Sequence, residues 1–351
     1  MDMKRTRNGR GMPMLHYAAR RSVLAVLVAA GVVVLTYLIA WVVPSDPAGV
    51  WAGPRASAAE RARVRAQLGV DRPVAEQIVR YVAGVLRGDW GLSVRTHRPV
   101  LTDLLTLLPN TLQMVLAGLA IGVVVGIPAG LAAVRWHGRA PDVLVRTGAL
   151  LSASIPTFWL ALLLQTLFAS RLGLLPIAGS HDRAVLAAHP VTTVTGLPLL
   201  DAVLTGNGAA AADLFDHLLL PALVVASYPA AVIARMVRAS LLDAVGEPHI
   251  QMVRSLGFPE RAVLGRFALR LAWNPVLQLL ALIFGYSLVS TFLVEAVFDY
   301  PGLGRYAADA VSSLDVPAVV GVTLLVALLY LAANLAVDLA QAALDPRVTL
   351  R

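Results

Sequence analysis

The side chains that most often perform chemistry are sparse in this sequence, and none of them stands at a spacing that would let it act with another. There is no cysteine, which removes a thiolate nucleophile, a disulfide and any Cys-ligated metal. The seven histidines are His16, His97, His137, His181, His189, His217 and His249; they include no His-Glu-x-x-His run and no pair four residues apart. His181-Asp182 with His189 has the residue types of a metal site, but three polar residues in a loop read as ordinary loop residues. Lys4 is the only lysine and has three residues before it, so a phosphate loop with its lysine behind a glycine-rich turn cannot be built. The sequence therefore assigns this chain no catalytic residue, no metal ligand and no cofactor of its own.

What it does contain is apolar length. Hydrophobic residues make up 58% and charged residues 14% of 351, with a mean hydropathy of +0.73, the composition of an integral membrane protein. A helix needs about 20 apolar residues to cross the hydrocarbon layer. Six long charge-free stretches predict transmembrane helices over residues 22–43, 104–134, 147–170, 217–234, 271–294 and 316–337. A seventh stretch, 184–200, holds His189-Pro190 and Gly196-Leu197-Pro198 and is rejected on its turn residues. The first apolar run is too long for a secretory leader and lacks a cleavage site before Pro44, so it reads as a retained helix.

Lys+Arg number 29 against 21 Asp+Glu, and the excess is a matter of membrane orientation rather than of nucleic acid. Arginines crowd the 1–21 tail, the turn after 134, the 235–270 loop and the C-terminal end, which the positive-inside rule places in the cytoplasm. Both termini are then cytoplasmic. The segment 44–103 carries nine arginines on the opposite side, interleaved with acids and at a length where the rule loses force. In that segment Ser57 and Glu60 have capping-box spacing, and Val74, Ile78, Val82 and Val85 recur at helical period before the turn Gly88-Asp89-Trp90-Gly91. It reads either as a loop on lipid headgroups or as a platform for an outer partner. The second outer segment, 171–216, gives no readable order.

In the 235–270 loop, Pro248 suits a first helical position, Gly257 a left-handed cap and Pro259 the start of a further helix. They bracket a short helix with Ile250, Val253 and Leu256 on one face and His249, Gln251, Arg254 and Ser255 on the other. Such a helix needs a surface, which is either its own bundle or a partner. No Asp, Glu, Lys or Arg falls within the six stretches, with Glu295 and Asp338 just at their ends, which disfavours an ion-coupled carrier. Gly118, Gly122, Gly126 and Gly130 recur every four residues and predict close helix packing, and Pro128 a kink.

Several of these stretches, taken in order, resemble the permease subunits of dipeptide/oligopeptide-type ABC importers, a family that also serves nickel and other small solutes. The resemblance runs from about Met14 to Arg347. It is carried by Leu68-Gly69-Val70-Asp71-Arg72-Pro73, Gly88-Asp89-Trp90-Gly91-Leu92-Ser93, Asn110-Thr111-Leu112 and Ser154-Ile155-Pro156-Thr157-Phe158-Trp159. Leu220-Pro221-Ala222, Phe298-Asp299-Tyr300-Pro301-Gly302-Leu303-Gly304-Arg305, Asn334 to Asp338 and Asp345-Pro346-Arg347 complete it. The long segment after the first span is similar to that of the first of the two permease types. The family's coupling signature, Glu-x-x-Ile-x-x-Ala-Arg-Ala-x-Gly, stands here as Glu247 to Gly257, matching at Glu247, Ile250, Arg254 and Gly257. Val253 and Ser255 replace alanines, Gln251 an arginine and Leu256 a lysine, so the exposed face is less basic than the family's.

The resemblance implies an all-α, six-helix, type I ABC importer permease fold: a multi-pass, non-catalytic subunit of a prokaryotic cell membrane, surrounded by lipid, with a permease core over 104–347. It implies a homologous second permease, two cytoplasmic P-loop ATPases that bind ATP and Mg, and an extracytoplasmic solute-binding protein. The short helix would dock on an ATPase through Glu247, Ile250, Val253, Arg254 and Gly257. Asn110, Thr111, Ser154 and Trp159, polar or aromatic positions near helix ends or breaks, are candidates for the wall of a path for peptides or similar solutes. A secondary carrier or channel, and a structural membrane subunit, are the alternatives. Because the chain has no cysteine, single cysteines report topology: Ala58→Cys is expected to react with a membrane-impermeant maleimide in right-side-out cells and Ser255→Cys to resist it, and the opposite pattern would reverse the orientation.

Overall fold

The computed structural model describes residues 26–39, 47–53, 55–69 and 71–344. The first predicted span is described as the apolar helix α1, Val26–Ile39. The rest of 22–43, the arginines of the 1–21 tail and Asp345-Pro346-Arg347 lie outside the described residues. In chain order follow α2 (Pro47–Ala52), α3 (Ala58–Leu68), α4 (Val74–Val85), α5 (Val100–Arg135) and α6 (Ala140–Ser154). Then come α7 (Thr157–Leu164), extended by a π-helical turn over Gln165–Arg171, α8 (Arg183–Ala188), α9 (Pro198–Leu204), α10 (Gly208–Val245) and α11 (Pro248–Ser255). α12 (Glu260–Ala262), a π-helical turn over Val263–Ala268 and α13 (Leu269–Val297) run on as one rod, followed by α14 (Leu303–Ser312) and α15 (Val316–Leu344). Among the described residues the one extended pairing is an isolated bridge between Leu92 and Pro99, so the fold is all-α.

Four rods are long and apolar enough to cross a bilayer: Val100–Arg135, Gly208–Val245, Glu260–Val297 and Val316–Gln341. The expected uninterrupted span over 147–170 is corrected, because α6 meets α7 and its π-helical turn at 104°. The cause is Pro156. It has no N–H to donate back into α6, and it drives the preceding Ile155 out of helical geometry, to ψ 123. The expected loop over 235–270 is also corrected: α10 runs on to Val245, α11 fills most of the middle and the next rod begins at Glu260. A charge ends an apolar stretch without ending a helix, so α10, predicted over 217–234, extends at both ends through Asp213, Asp216, Arg235 and Arg238. In 171–216 the order comes from side-chain caps: Asp182 Oδ1 accepts from Ala184 N (2.7 Å) and Asn207 Oδ1 from Ala210 N (3.2 Å).

The described residues fall into two compact units, Leu107–Tyr306 and the remainder, 1–106 with 307–351. In the latter the Ser57 capping box forms: Ser57 Oγ accepts from Glu60 N and the Glu60 carboxylate from Ser57 N (2.8 Å), and Gly69 ends α3 at φ 68. The Gly88-Asp89-Trp90-Gly91-Leu92-Ser93 stretch is fastened to the start of α15 by the buried Asp315. Asp315 accepts from Ser93 Oγ (2.5 Å) and Arg95 N (3.1 Å), and its other oxygen accepts from Ala318 N. Arg95 reaches Asp309 at 2.8 Å.

In Leu107–Tyr306 the organising contact is α5 against α10. A Cβ placed on Gly118 would lie 2.6 Å from Val225 Cγ1, one on Gly122 2.6 Å from Pro229 Cβ, and one on Gly130 2.7 Å from Val237 Cβ. The four glycines thus let the two backbones touch. One apolar cluster, around Met114, Leu220, Phe298 and Tyr300, and a second, around Ile233, Val237, Leu241, Val263 and Ile283, fill the unit along this seam. Gly130→Val overfills it and is expected to lower stability by about 2–3 kcal/mol, read as a fall in the thermal midpoint of the detergent-solubilised protein, while Gly148→Val, where a Cβ meets nothing, leaves the midpoint within a degree or two.

Candidate functional site

The residues singled out by the sequence sort into three places in the same unit: the C-terminal end of α13, the break at Ile155-Pro156, and α11, which packs beside Val263, about 48 Å from Glu295 along the Glu260–Val297 rod. At the α13 C-terminal end, Thr111 donates its hydroxyl to Glu295 Oε1 (2.6 Å) and accepts from Leu303 N (2.8 Å). Asn110 Nδ2 donates to Pro301 O (2.7 Å), and Glu295 Oε2 accepts from Arg305 N (2.9 Å). Thr111 and Glu295 are buried. The turn Tyr300 to Arg305 is thereby stapled to α5 and α13. A Cβ at Gly302 would overlap the Glu295 carboxylate, and one at Gly304 the Phe292 backbone, which is why this turn needs glycine at both positions. Arg305 also pairs with Asp299.

The four candidate path residues are held differently. Thr111 has its hydroxyl committed in both directions and faces the interior of its own unit, and Asn110 is half-buried on Pro301, so both act as fasteners. Ser154 and Trp159 differ. Both are exposed and flank the 104° break at Ile155-Pro156, with the Ser154 hydroxyl turned back on Leu150 O (2.9 Å). The sequence passed over Glu295 because it was counted as the boundary of a charge-free stretch. Its position three residues before the Phe298–Arg305 motif is the available signal.

At the third place, α11 follows α10 after only Gly246 and Glu247. Glu247 precedes the helix in extended geometry, exposed, with its main-chain carbonyl accepting from Ile250 N (3.0 Å) and Gln251 N (3.1 Å). Gly257 stands at φ 82 and Arg254 bonds Glu260 at 2.8 Å, which fixes the exit. Of the Ile250–Val253–Leu256 face, the chain's own bundle takes the first two residues and leaves Leu256 exposed. Ile250 is buried among Val237, Leu241, Ala244 and Val263, and Val253 packs on the same cluster. The face left open carries His249, Met252, Ser255 and Leu256, with Phe258 beside it stacked edge-on to Phe267 (5.5 Å).

Two turns before α11, α10 is clasped to the α5–α6 turn. Arg238 Nε meets Asp142 Oδ1 at 2.6 Å and Nη2 meets Oδ2 at 3.1 Å, while Gly138 N (3.0 Å) and His137 Nδ1 (3.2 Å) complete the shell of the buried Asp142. Nothing in the sequence spacing announces this pair, since 96 residues separate them.

Four rods and one broken pair, long and apolar enough to cross a bilayer, give the chain the build of a multi-pass helical membrane protein. The chain belongs to the family of binding-protein-dependent transport system inner membrane components, which matches residues 122–350, and its N-terminal companion family matches 14–115. It is 40% identical to the probable D,D-dipeptide transport system permease protein of Escherichia coli K12 over 92% of this chain and 94% of that one. It is 34% identical to the dipeptide transport system permease protein of the same strain, over 95% and 99%. The glutathione transport system permease protein of Salmonella paratyphi A is likewise 34% identical, over 95% and 99%. Members of this family are non-catalytic membrane components of ABC transporters.

The staple makes a coupled prediction. Gly302→Ala is expected to cost about 2–3 kcal/mol through overlap with Glu295, and Glu295→Ala a similar amount by leaving the Thr111 hydroxyl and Arg305 N–H without an acceptor. The double variant is expected to be about 1–2 kcal/mol more stable than the sum, since the alanine at 302 then meets no carboxylate. Additive unfolding midpoints would refute the contact.

Proposed function

We propose that this chain is the first-type permease subunit of an ATP-driven importer of dipeptides, oligopeptides or related peptides. It would pair with a homologous second permease, receive solute from an extracytoplasmic binding protein and be driven by two cytoplasmic ATPases that hold ATP and Mg. Both termini and α11 lie in the cytoplasm, and the 44–103 and 171–216 segments lie outside. The cargoes for which the relatives are named, D,D-dipeptides, dipeptides and glutathione, share amide-linked amino-acid chemistry and support the peptide class.

The observation that carries the mechanism is the split of α11 into an anchored face and an open one. Ile250 and Val253 fix the helix to α10 and to the rod beginning at Glu260, while Met252 and Leu256 project away. A partner that grips the open face and moves therefore moves α10 and α13 with it. Glu247 and Arg254 set the entry and exit of the helix, and Gly257 lets the chain turn off it. The solute path runs between this subunit and its partner permease, with Ser154 and Trp159 at the broken span as its wall residues on this side. The wall there is weakly polar and aromatic, so it does not hold the solute tightly, and selection rests on the binding protein.

In proteoliposomes containing the complete transporter, Met252→Asp and Leu256→Asp are expected to leave stability within about 0.5 kcal/mol, because both side chains are exposed. They are expected to lower uptake about tenfold and to lose the ATPase subunits on purification. Gly257→Val, strained at φ 82, is expected to do the same through the exit of the helix. Normal subunit stoichiometry with normal uptake in all three would remove α11 from the mechanism. Uptake that follows an imposed pH gradient without ATP would replace the importer with a secondary carrier.

A further inference from the structure

Within the unit formed by 1–106 and 307–351, α4 sits against the end of α1. The ring of Tyr81 lies edge-on to Tyr37, with centroids 5.3 Å apart, and Tyr81 is buried. Tyr37 stands six residues before Val43, the last apolar residue of the predicted first span before Pro44. A helix packed on Tyr37 lies near the end of that predicted span, the level at which interfacial helices sit about 5–10 Å deep.

The opposite side of α4 has no cover among the described residues. Two aliphatic side chains stand exposed there, Val79 at 67% and, at the C-cap, Leu86 at 84%, seven residues apart on one helical face. Beside each is an arginine at the same interval, Arg80 and Arg87. Arg80 shares Glu76 with Arg72, and the nearby Asp89 turns its carboxylate to Gly91 N (3.0 Å). Two aliphatic side chains flanked by two long cationic ones match a phospholipid boundary, where the aliphatic groups enter the acyl layer and the guanidinium groups reach phosphate. A water-facing helix would gain nothing from this pattern. A protein-docking face would be expected to carry the aromatic anchors that α4 instead spends on Tyr37.

We propose that the Val79–Leu86 face of α4 is an interfacial surface seated in the phospholipid headgroup layer at the end of the first span, with Arg80 and Arg87 on lipid phosphates. It ties the first span to the segment that follows, and it stands whether or not the transport reading does.

The test uses the full chain, free of cysteine, in vesicles of phosphatidylethanolamine and phosphatidylglycerol. A small fluorophore is attached at Val79→Cys, Leu86→Cys and, as a control on the exposed face of α3, Arg63→Cys. Nitroxide-bearing lipids are expected to quench positions 79 and 86 about threefold more than aqueous iodide does, with the reverse at 63. Iodide quenching at 86 equal to that at 63 would make the face a water-facing one, and protection from both quenchers would make it a protein contact; either result overturns the proposal. Slow reaction of unlabelled Leu86→Cys with a membrane-impermeant maleimide, with normal elution as a folded protein, is the second expected result, and reaction as fast as at 63 contradicts it.

Discussion

In hydrocarbon two helices gain nothing by hiding apolar side chains from each other, since lipid is equally apolar, so what holds α5 to α10 is how closely their backbones can approach. Gly118, Gly122, Gly126 and Gly130 remove the side chains that would keep them apart, and Val225, Pro229, Ile233 and Val237 of α10 fill the groove. The rest of Leu107–Tyr306 is arranged along that seam. Ile233 and Val237 continue into the cluster that buries Ile250, and Met114 continues into the cluster that holds Phe298 and Tyr300. Widening the seam at any glycine would disturb the supports of both the staple and α11.

Four buried acidic residues of this chain serve as fasteners. Asp142 accepts from Gly138 N, Asp201 from Thr195 N and Gly196 N, Glu295 from Arg305 N, and Asp315 from Arg95 N and Ala318 N. All four are buried, and each stands where a helix begins or ends or a turn leaves N–H groups without an in-helix partner. At Asp201 burial works against the charge, but the Thr195 hydroxyl and the backbone donors outweigh it and hold the carboxyl below its ordinary range. A carboxylate can satisfy several donors at once, so one residue closes a turn that would otherwise need water inside an apolar protein. This explains why acids are scarce here and yet sit at the centre of their surroundings.

The all-helical character, the short helix with its Gly257 exit and the Ser57 capping box were legible because each depends on residues within a few positions of one another. The family was legible for a related reason, since its motifs are local runs. What escaped was set by groups far apart in sequence. Thr111 and Asn110 look like path residues until Glu295 and Pro301, more than 180 residues on, take their hydrogen bonds. Charge-free stretches measure apolar depth and not helix length, so α10 and the Glu260–Val297 rod were both read short. The proline that bends the third span was in view, but its effect on a long apolar run depends on whether neighbours supply the missing bonds, and that is a tertiary matter.

The division of α11 into two faces also bears on how a membrane bundle can be moved from outside it. A short helix held only by flexible chain would absorb a partner's displacement. Here Gly246 and Glu247 alone separate it from α10, Ile250 is locked into the same cluster as Val237 and Leu241, and the Arg254–Glu260 pair ties its far end to the next rod. Just upstream, the Arg238–Asp142 clasp joins α10 to the turn between α5 and α6. Displacing the open face therefore acts on three helical elements as one body, because closely packed interiors shift between discrete arrangements rather than deforming continuously. The broken span escapes this rigidity at Ile155-Pro156, where no helical hydrogen bond crosses the bend, and that is where a moving bundle can yield without breaking its core.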